Sequence, residues 1–253
     1  MSFSLEPLLA ARDRHRQIPP PSETRALSAA EAYAIQDRLR EALVARGERV
    51  TGWKAGFTSR AAQAAFQCDE PVTGFLLASG VYASRAEVAA ARFASLGVEP
   101  EVAFVMRHDL AGPGVTPPRA LLAVEGALPA LELIDARFSG KPIGTDIVAE
   151  GVYANAIVLG APLTPVAGLD LALEGLVWER NGAVAATATA AEVMGNPLNS
   201  LAWIANQLGA RGLGLRAGDI VMSGSVSIVL RPVAGDTVRA TFTRLGSVSC
   251  RFV

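Results

Sequence analysis

Hydrophobic and polar positions follow two different rhythms along this chain, and the change falls close to residue 50. In "SAAEAYAIQDRLREALVARGE" the apolar positions Ala32, Ile35, Leu39 and Leu43 recur at helical spacing. Ser28 followed by Glu31 has the form of a capping box at the start of that helix, and Gly47 supplies its stop. The "IPPPSE" ahead of it reads as a rigid extended linker, because proline fixes φ and removes a backbone donor. Beyond Gly47 the runs shorten. "RVTGWKAGFTS", "GVYAS", "EVAFVM", "LPALELID", "NAIVLG", "LEGLVWERNGAVAATAT", "DIVMSGSVSIVLRPV" and "DTVRATFTRLGSVSCRFV" are β-like stretches divided by Gly, Pro and Asp. Asn181-Gly182 predicts a tight hairpin. A second helix is predicted in "NPLNSLAWIANQLGARG", with Asn196 as N-cap, Pro197 at the first helical position and Gly212 near the stop.

No repeat of fixed period and no strict βαβ alternation interrupts this pattern. It predicts a mixed, β-rich α+β fold: an N-terminal helical arm over residues 1–50 and a β-rich body over 51–253. Composition agrees. The 253 residues are 51% hydrophobic and 19% charged, ample chain for one large core. Basic and acidic residues number 23 and 24, and the net charge of −1 gives no basic footprint for a nucleic-acid partner. No stretch approaches the ~20 apolar residues of a membrane span. The N-terminus lacks the basic start and long apolar core of a signal peptide. The expectation is a cytoplasmic protein with neither a membrane nor a nucleic-acid partner. Cys68 and Cys250, far apart in sequence, are expected to be a reduced pair.

Several chemistries lack their parts. The two histidines, His15 and His108, have no partner at metal spacing, so a zinc site of the usual kind is not indicated. No G-x-S-x-G nucleophile elbow and no phosphate loop is present. "GLGLRAG" follows a helix and reads as a helix-to-strand turn. Carboxylates remain. In "VEPEVAFVM" a strand would place Glu99 and Glu101 side by side on one face. Glu132 sits in a second apolar run, "LPALELID". Two readings stand at this point: the glutamates face solvent or pair with Arg137 or Arg107, or they hold a hard divalent cation with open positions for a substrate. Lys54 likewise is either a snorkelling surface lysine or, among Trp53, Ala55 and Phe57, a proton-transfer group with a lowered pKa.

"GWKAGFTS", "DEPVTGFL", "VEPEVAFVMRHDLAGPGV", "LPALELIDAR", "GNPLNSLAWIANQLGARGLGLRAGDIVMSGS" and "LGSVSCRF" occur in that order. Together they resemble the 2-oxopent-4-enoate hydratases and 4-oxalocrotonate decarboxylases of the fumarylacetoacetate hydrolase superfamily, over nearly the whole chain from Ser28. The resemblance implies a mixed β-roll, a homo-oligomer (alone or with a related pathway enzyme), and a site for Mg2+ or Mn2+. It makes Glu99, Glu101 and Glu132 the ligands and Lys54 the acid/base residue, with Arg137 and Ser225 near the substrate. The substrate implied is a small unsaturated 2-oxo or 2-hydroxy acid, hydrated at C4. A decarboxylase of an unsaturated 2-oxo diacid, an acylpyruvate C–C hydrolase and a non-catalytic partner subunit are the alternatives. Two segments depart from the hydratase pattern: Val72 stands where an Asp is usual, and Glu150-Gly151, within 144–160, replaces an Asp-Asn pair.

Overall fold

The computed structural model describes residues 3–253. It opens with α1 (Glu6–Arg14), a helix that the apolar spacing does not predict. Within "IPPPSE", Pro20 is extended but Pro21–Glu23 close a single 3-10 turn where an extended linker is expected. A proline at the first position of a turn loses no hydrogen bond there. α2 (Ala29–Ala45) forms as its spacing predicts. The Ser28 hydroxyl accepts the Glu31 N–H, the Glu31 carboxylate accepts the Ser28 N–H, and Ala32, Ile35, Leu39 and Leu43 are buried.

The rest of the chain runs through β1 (Val50–Gly56), α3 (Arg60–Ala65), β2 (Val72–Leu77), β3 (Val81–Ala83), β4 (Ala86–Val88), β5 (Leu96–Met106), α4 (Pro117–Leu122) and β6 (Val124–Asp135). It continues through α5 (Gly144–Ala149), β7 (Ala154–Leu159), β8 (Gly175–Arg180), β9 (Ala183–Thr189), α6 (Pro197–Ala210), β10 (Ile220–Ser225), β11 (Thr237–Phe242) and β12 (Gly246–Phe252). α6 carries the predicted Asn196 cap, whose side chain accepts the Leu198 N–H. The predicted hairpin joins β8 to β9, with Asn181 and Gly182 at φ of 54° and 78°, as a type I′ turn requires. Both cysteines are free thiols. Among the described residues no helix is long and apolar enough to cross a membrane.

Two mixed sheets make the body. One has the order β2-β1-β10-β5-β6-β7-β3, the other β4-β12-β11-β8-β9. They pack where β11 and β12 lie against β6, and Phe104, Trp178 and Phe252 are fully buried between elements. β5 is apolar on both faces for much of its length, as a central strand covered on both sides should be. Val98, Val102 and Phe104 enter the main core, while Ala103, two positions beyond Glu101 on the opposite face, enters a smaller cluster with Ala130 and Met222. The carboxylates sit at the end of that second face.

Candidate metal centre and substrate cavity

Strand geometry assembles the site. Glu99 and Glu101 are two apart on β5 and share a face. Antiparallel pairing sets Glu132 of β6 directly opposite Glu99. One carboxylate oxygen from each of the three lies within 4.8 Å of the others. Glu101 and Glu132 are fully buried, whereas Glu99 is partly open to a cavity of about 940 Å³ that Lys54 also lines.

The pairing of β10 with β5 slips by one residue between Met222 and Ser225, a β-bulge that re-aims the backbone. Gly224, at φ +115°, turns its N–H onto Glu101 Oε2 at 2.7 Å. A Cβ there would stand 2.5 Å from Thr58 Cγ2, so only glycine fits the bulge. Pro100, which has no N–H to give a ladder, lies beside the same irregular stretch. Lys54 enters from β1, two strands away, and its Nζ lies 2.9 Å from Glu132 Oε2. That is an ion pair without hydrogen-bond alignment, since Glu132 Oε2 has no aligned donor. Nζ also donates to the Val152 carbonyl at 3.2 Å.

These positions bear on the readings left open. Arg107 pairs with Glu125 at 2.6 Å on the surface, and Arg137 is sealed elsewhere, so neither neutralises the trio. Three carboxylates therefore share one ammonium. Glu101 Oε1 and both Glu132 oxygens are buried with no hydrogen-bond donor, an arrangement that is costly unless a cation answers it. An all-oxygen, carboxylate-rich donor set suits a hard divalent ion. The residues present fit such an ion.

The electrostatics show the same deficit. Burial, only partly offset by Lys54, raises Glu99 to about 7. Burial and the charge of Glu132 push Glu101 well above the usual carboxylate range, and burial raises Glu132 as well. For Lys54 the expectation of a lowered pKa is corrected. Burial alone would lower it, but Glu132, Glu99 and Glu101 together outweigh that and hold it above its ordinary value. The strand alternation turns Trp53 to the far face, so the ammonium meets carboxylates rather than the indole beside it in sequence.

Ser225 lines the cavity, its hydroxyl donating to the Ser227 carbonyl at 2.7 Å. Arg137 does not reach it. That side chain is 1% exposed, donates to the Ala154 carbonyl at 2.8 Å, and pairs with Glu150 at 3.3 Å and Asp135 at 3.8 Å. Three contributors escape the sequence reading: the Gly224 N–H, the Val152 carbonyl and Arg231, a cation on the cavity wall that favours ionised Glu99. The "SGS" after an apolar run was the available signal for the first; the other two leave none. A smaller cavity of about 280 Å³, lined by Arg12, His15 and Arg92, gathers no carboxylate trio among the described residues.

A buried three-glutamate cradle with a lysine, on a two-sheet mixed body, is the setting in which the family match falls. Residues 43–253 match the model described as fumarylacetoacetate (FAA) hydrolase C-terminal, and the chain belongs to that family. It is 35% identical over 225 residues to the 2-hydroxyhexa-2,4-dienoate hydratase of Comamonas testosteroni, covering 88% of this chain and 85% of that one. It is also 35% identical over 231 residues to the 2-oxo-hept-4-ene-1,7-dioate hydratase of Escherichia coli, covering 88% and 86%. Among solved structures it resembles the 4-oxalocrotonate decarboxylase from Pseudomonas putida G7 complexed with magnesium and adipate. That match has a TM-score of 0.92 at 28% identity, over 99% of both chains.

Proposed function

We propose that the chain is a divalent-metal-dependent hydro-lyase that adds water to a short 2-hydroxy-dienoic or 2-oxo-enoic acid, giving a 4-hydroxy-2-oxo acid. The observation that carries this reading is the buried trio Glu99, Glu101 and Glu132, short of positive charge beside a cavity that Lys54 lines. A divalent cation held there, Mg2+ or Mn2+, supplies Lewis-acid stabilisation to charge developing on the C2 oxygen. The chain's own residues do the rest. Gly224 fixes one oxygen of Glu101 and leaves the other free as a ligand. The Val152 carbonyl takes one proton of the Lys54 ammonium and Glu132 pairs with its charge at 2.9 Å, so a proton remains for C5 of the dienoate as the C2 hydroxyl gives up its own. Water then adds across C3–C4, its oxygen to C4 and a proton to C3. Ser225, whose proton is committed to Ser227, keeps its lone pairs for a substrate or water hydroxyl. Phe57, Phe66 and Phe138 on the cavity wall exclude bulk water from the diene.

Hydratases at 35% identity support hydration. The decarboxylase likeness in structure favours a second reading, loss of CO2 from an unsaturated 2-oxo diacid, which uses the same stabilisation. The intact trio and Lys54 argue against a non-catalytic subunit. A homo-oligomer, a cytoplasmic location, and an arm over 1–50 on a catalytic body over 51–253 belong to the same proposal. The deciding experiment is a panel of 2-hydroxydienoic mono- and diacids with Mg2+, following hydrated product and CO2 separately. Hydration that stops with EDTA and returns with Mg2+ is expected. CO2 release without hydration would transfer the protein to the second reading, and turnover indifferent to EDTA would remove the metal from both.

A further inference from the structure

The backbone departs furthest from ordinary geometry at the turn that forms one wall of the cavity. Gly151, Val152 and Tyr153 follow one another at φ of +97°, +59° and +57°. For a β-branched residue such as Val152 the left-handed region is a true outlier, and it persists only where the surroundings over-determine it. Here they do. The Glu150 carboxylate accepts the Tyr153 N–H. Two guanidinium groups close on it, Arg137 at 3.3 Å and Arg12 at 3.5 Å. Arg12 also donates to the Glu150 and Ala154 carbonyls, and Arg137 donates to the Ala154 carbonyl. The Tyr153 carbonyl is taken by the Asp135 N–H at 2.9 Å. What this clamp leaves pointing inward is the Val152 carbonyl, the acceptor of Lys54 Nζ.

Arg12 reaches the turn from α1, outside the stretch that matches the family model. Its guanidinium lies over the Phe75 ring at 5.9 Å. A Cβ on residue 151 would stand 3.0 Å from Arg12 Nη2 and 3.3 Å from Phe75, so the glycine makes room for the arginine. The two departures from the hydratase pattern meet at this place. Glu150-Gly151 forms the clamp, and Val72 packs beside Val152, both lying against Gly56 next to Lys54. Burial and the charge of Arg137 lower Arg12 to about 10, which leaves it charged at neutral pH.

We propose that Arg12 is a positioning residue of the active site: through Glu150 and the left-handed turn it sets the Val152 carbonyl that orients Lys54. The consequence for catalysis rests on the reading of Lys54 as the group that moves the proton. The N-terminal helix then completes the site instead of merely covering it.

The test uses Arg12→Gln and Arg12→Lys in the full chain, with two readouts. The first is steady-state turnover with Mg2+ on the best acid of the panel. Arg12→Gln is expected to lower kcat about 10–100-fold, the scale of a misplaced catalytic group, with KM and Mn2+ affinity unchanged, and Arg12→Lys to restore part of the loss. The second needs no activity. The chain has only two lysines, Lys54 and Lys141, so isotope-labelled lysine gives two side-chain NMR signals in the metal-free protein. In Arg12→Gln the Lys54 signal is expected to move and broaden while Lys141 stays in place. Unchanged kcat with an unmoved Lys54 signal would overturn the proposal, as would a loss confined to thermal stability. If the wild type turns over none of the acids, the lyase reading falls, and the Lys54 signal still decides the clamp. Should Arg12→Gln fail to fold, Arg12→Lys carries both readouts.

Discussion

Two buried ionic clusters lie on either side of Val152, and they are built on opposite principles. In one, Arg12 and Arg137 face Glu150 and Asp135, two cations against two carboxylates. Every oxygen of those carboxylates has a partner: Glu150 takes the Tyr153 N–H and both arginines, and Asp135 takes the Ser95 N–H and Arg137. In the other, Glu99, Glu101 and Glu132 face one paired cation, Lys54, with Arg231 acting on Glu99 from the cavity wall, and three buried oxygens lack a hydrogen-bond donor. Burial alone therefore does not mark a functional site. Charge balance does: the first cluster matches two cations to two carboxylates, with only the Arg12 and Arg137 Nε atoms lacking a hydrogen-bond partner, and the second is short of about two positive charges.

Replacing one carboxylate in each cluster should expose the difference, with the larger effect at the trio. Glu101→Gln is expected to abolish Mn2+ binding and to cut turnover about 10⁴-fold, the rate equivalent of several kcal/mol of lost charge stabilisation. The same change should leave the metal-free protein folded and no less stable to urea, because it removes a repulsive buried charge. Normal Mn2+ titration of the variant would end its assignment as a ligand. Glu150→Gln should instead keep Mn2+ binding and lose stability. It leaves two arginines without their shared partner, and breaking a buried pair costs about 3–5 kcal/mol. Urea unfolding measures that loss. A variant as stable as the wild type would show that the balanced cluster contributes little.

The two clusters also differ in how far the sequence announces them. The trio is legible because a two-residue strand period and an apolar context leave Glu99, Glu101 and Glu132 few places to go. Helix caps at Ser28 and Asn196 and the Asn181-Gly182 turn are legible for the same reason, since each is a short-range rule satisfied within a few residues. The family resemblance implies Arg137 beside the substrate. The strand ends at Asp135, and the side chain turns back into the other cluster instead. The meeting of Arg12 with Glu150 spans 138 residues, and the alignment of Val152 depends on three left-handed backbones in a row. No local pattern encodes either. The raised pKa of Lys54 is hidden on similar grounds, for Trp53 beside it lies on the other face of the strand and the carboxylates that act on it come from β5 and β6.

Metal addition sharpens the contrast with the smallest effect of the set. An ion that binds only the folded chain stabilises it by about 2.7 kcal/mol when free ion stands at about 100 times Kd. For a domain of this size that raises Tm by about 5–10 °C. The gain should be present in the wild type, present in Glu150→Gln from a lower starting point, and absent in Glu101→Gln. This pattern separates a site effect from general ionic strength. Salt screens exposed pairs such as Arg107–Glu125 in all three proteins alike, whereas the buried trio discriminates between them. An equal rise in Glu101→Gln would place the ion elsewhere on the molecule, and the unanswered charge of the trio would then need another explanation.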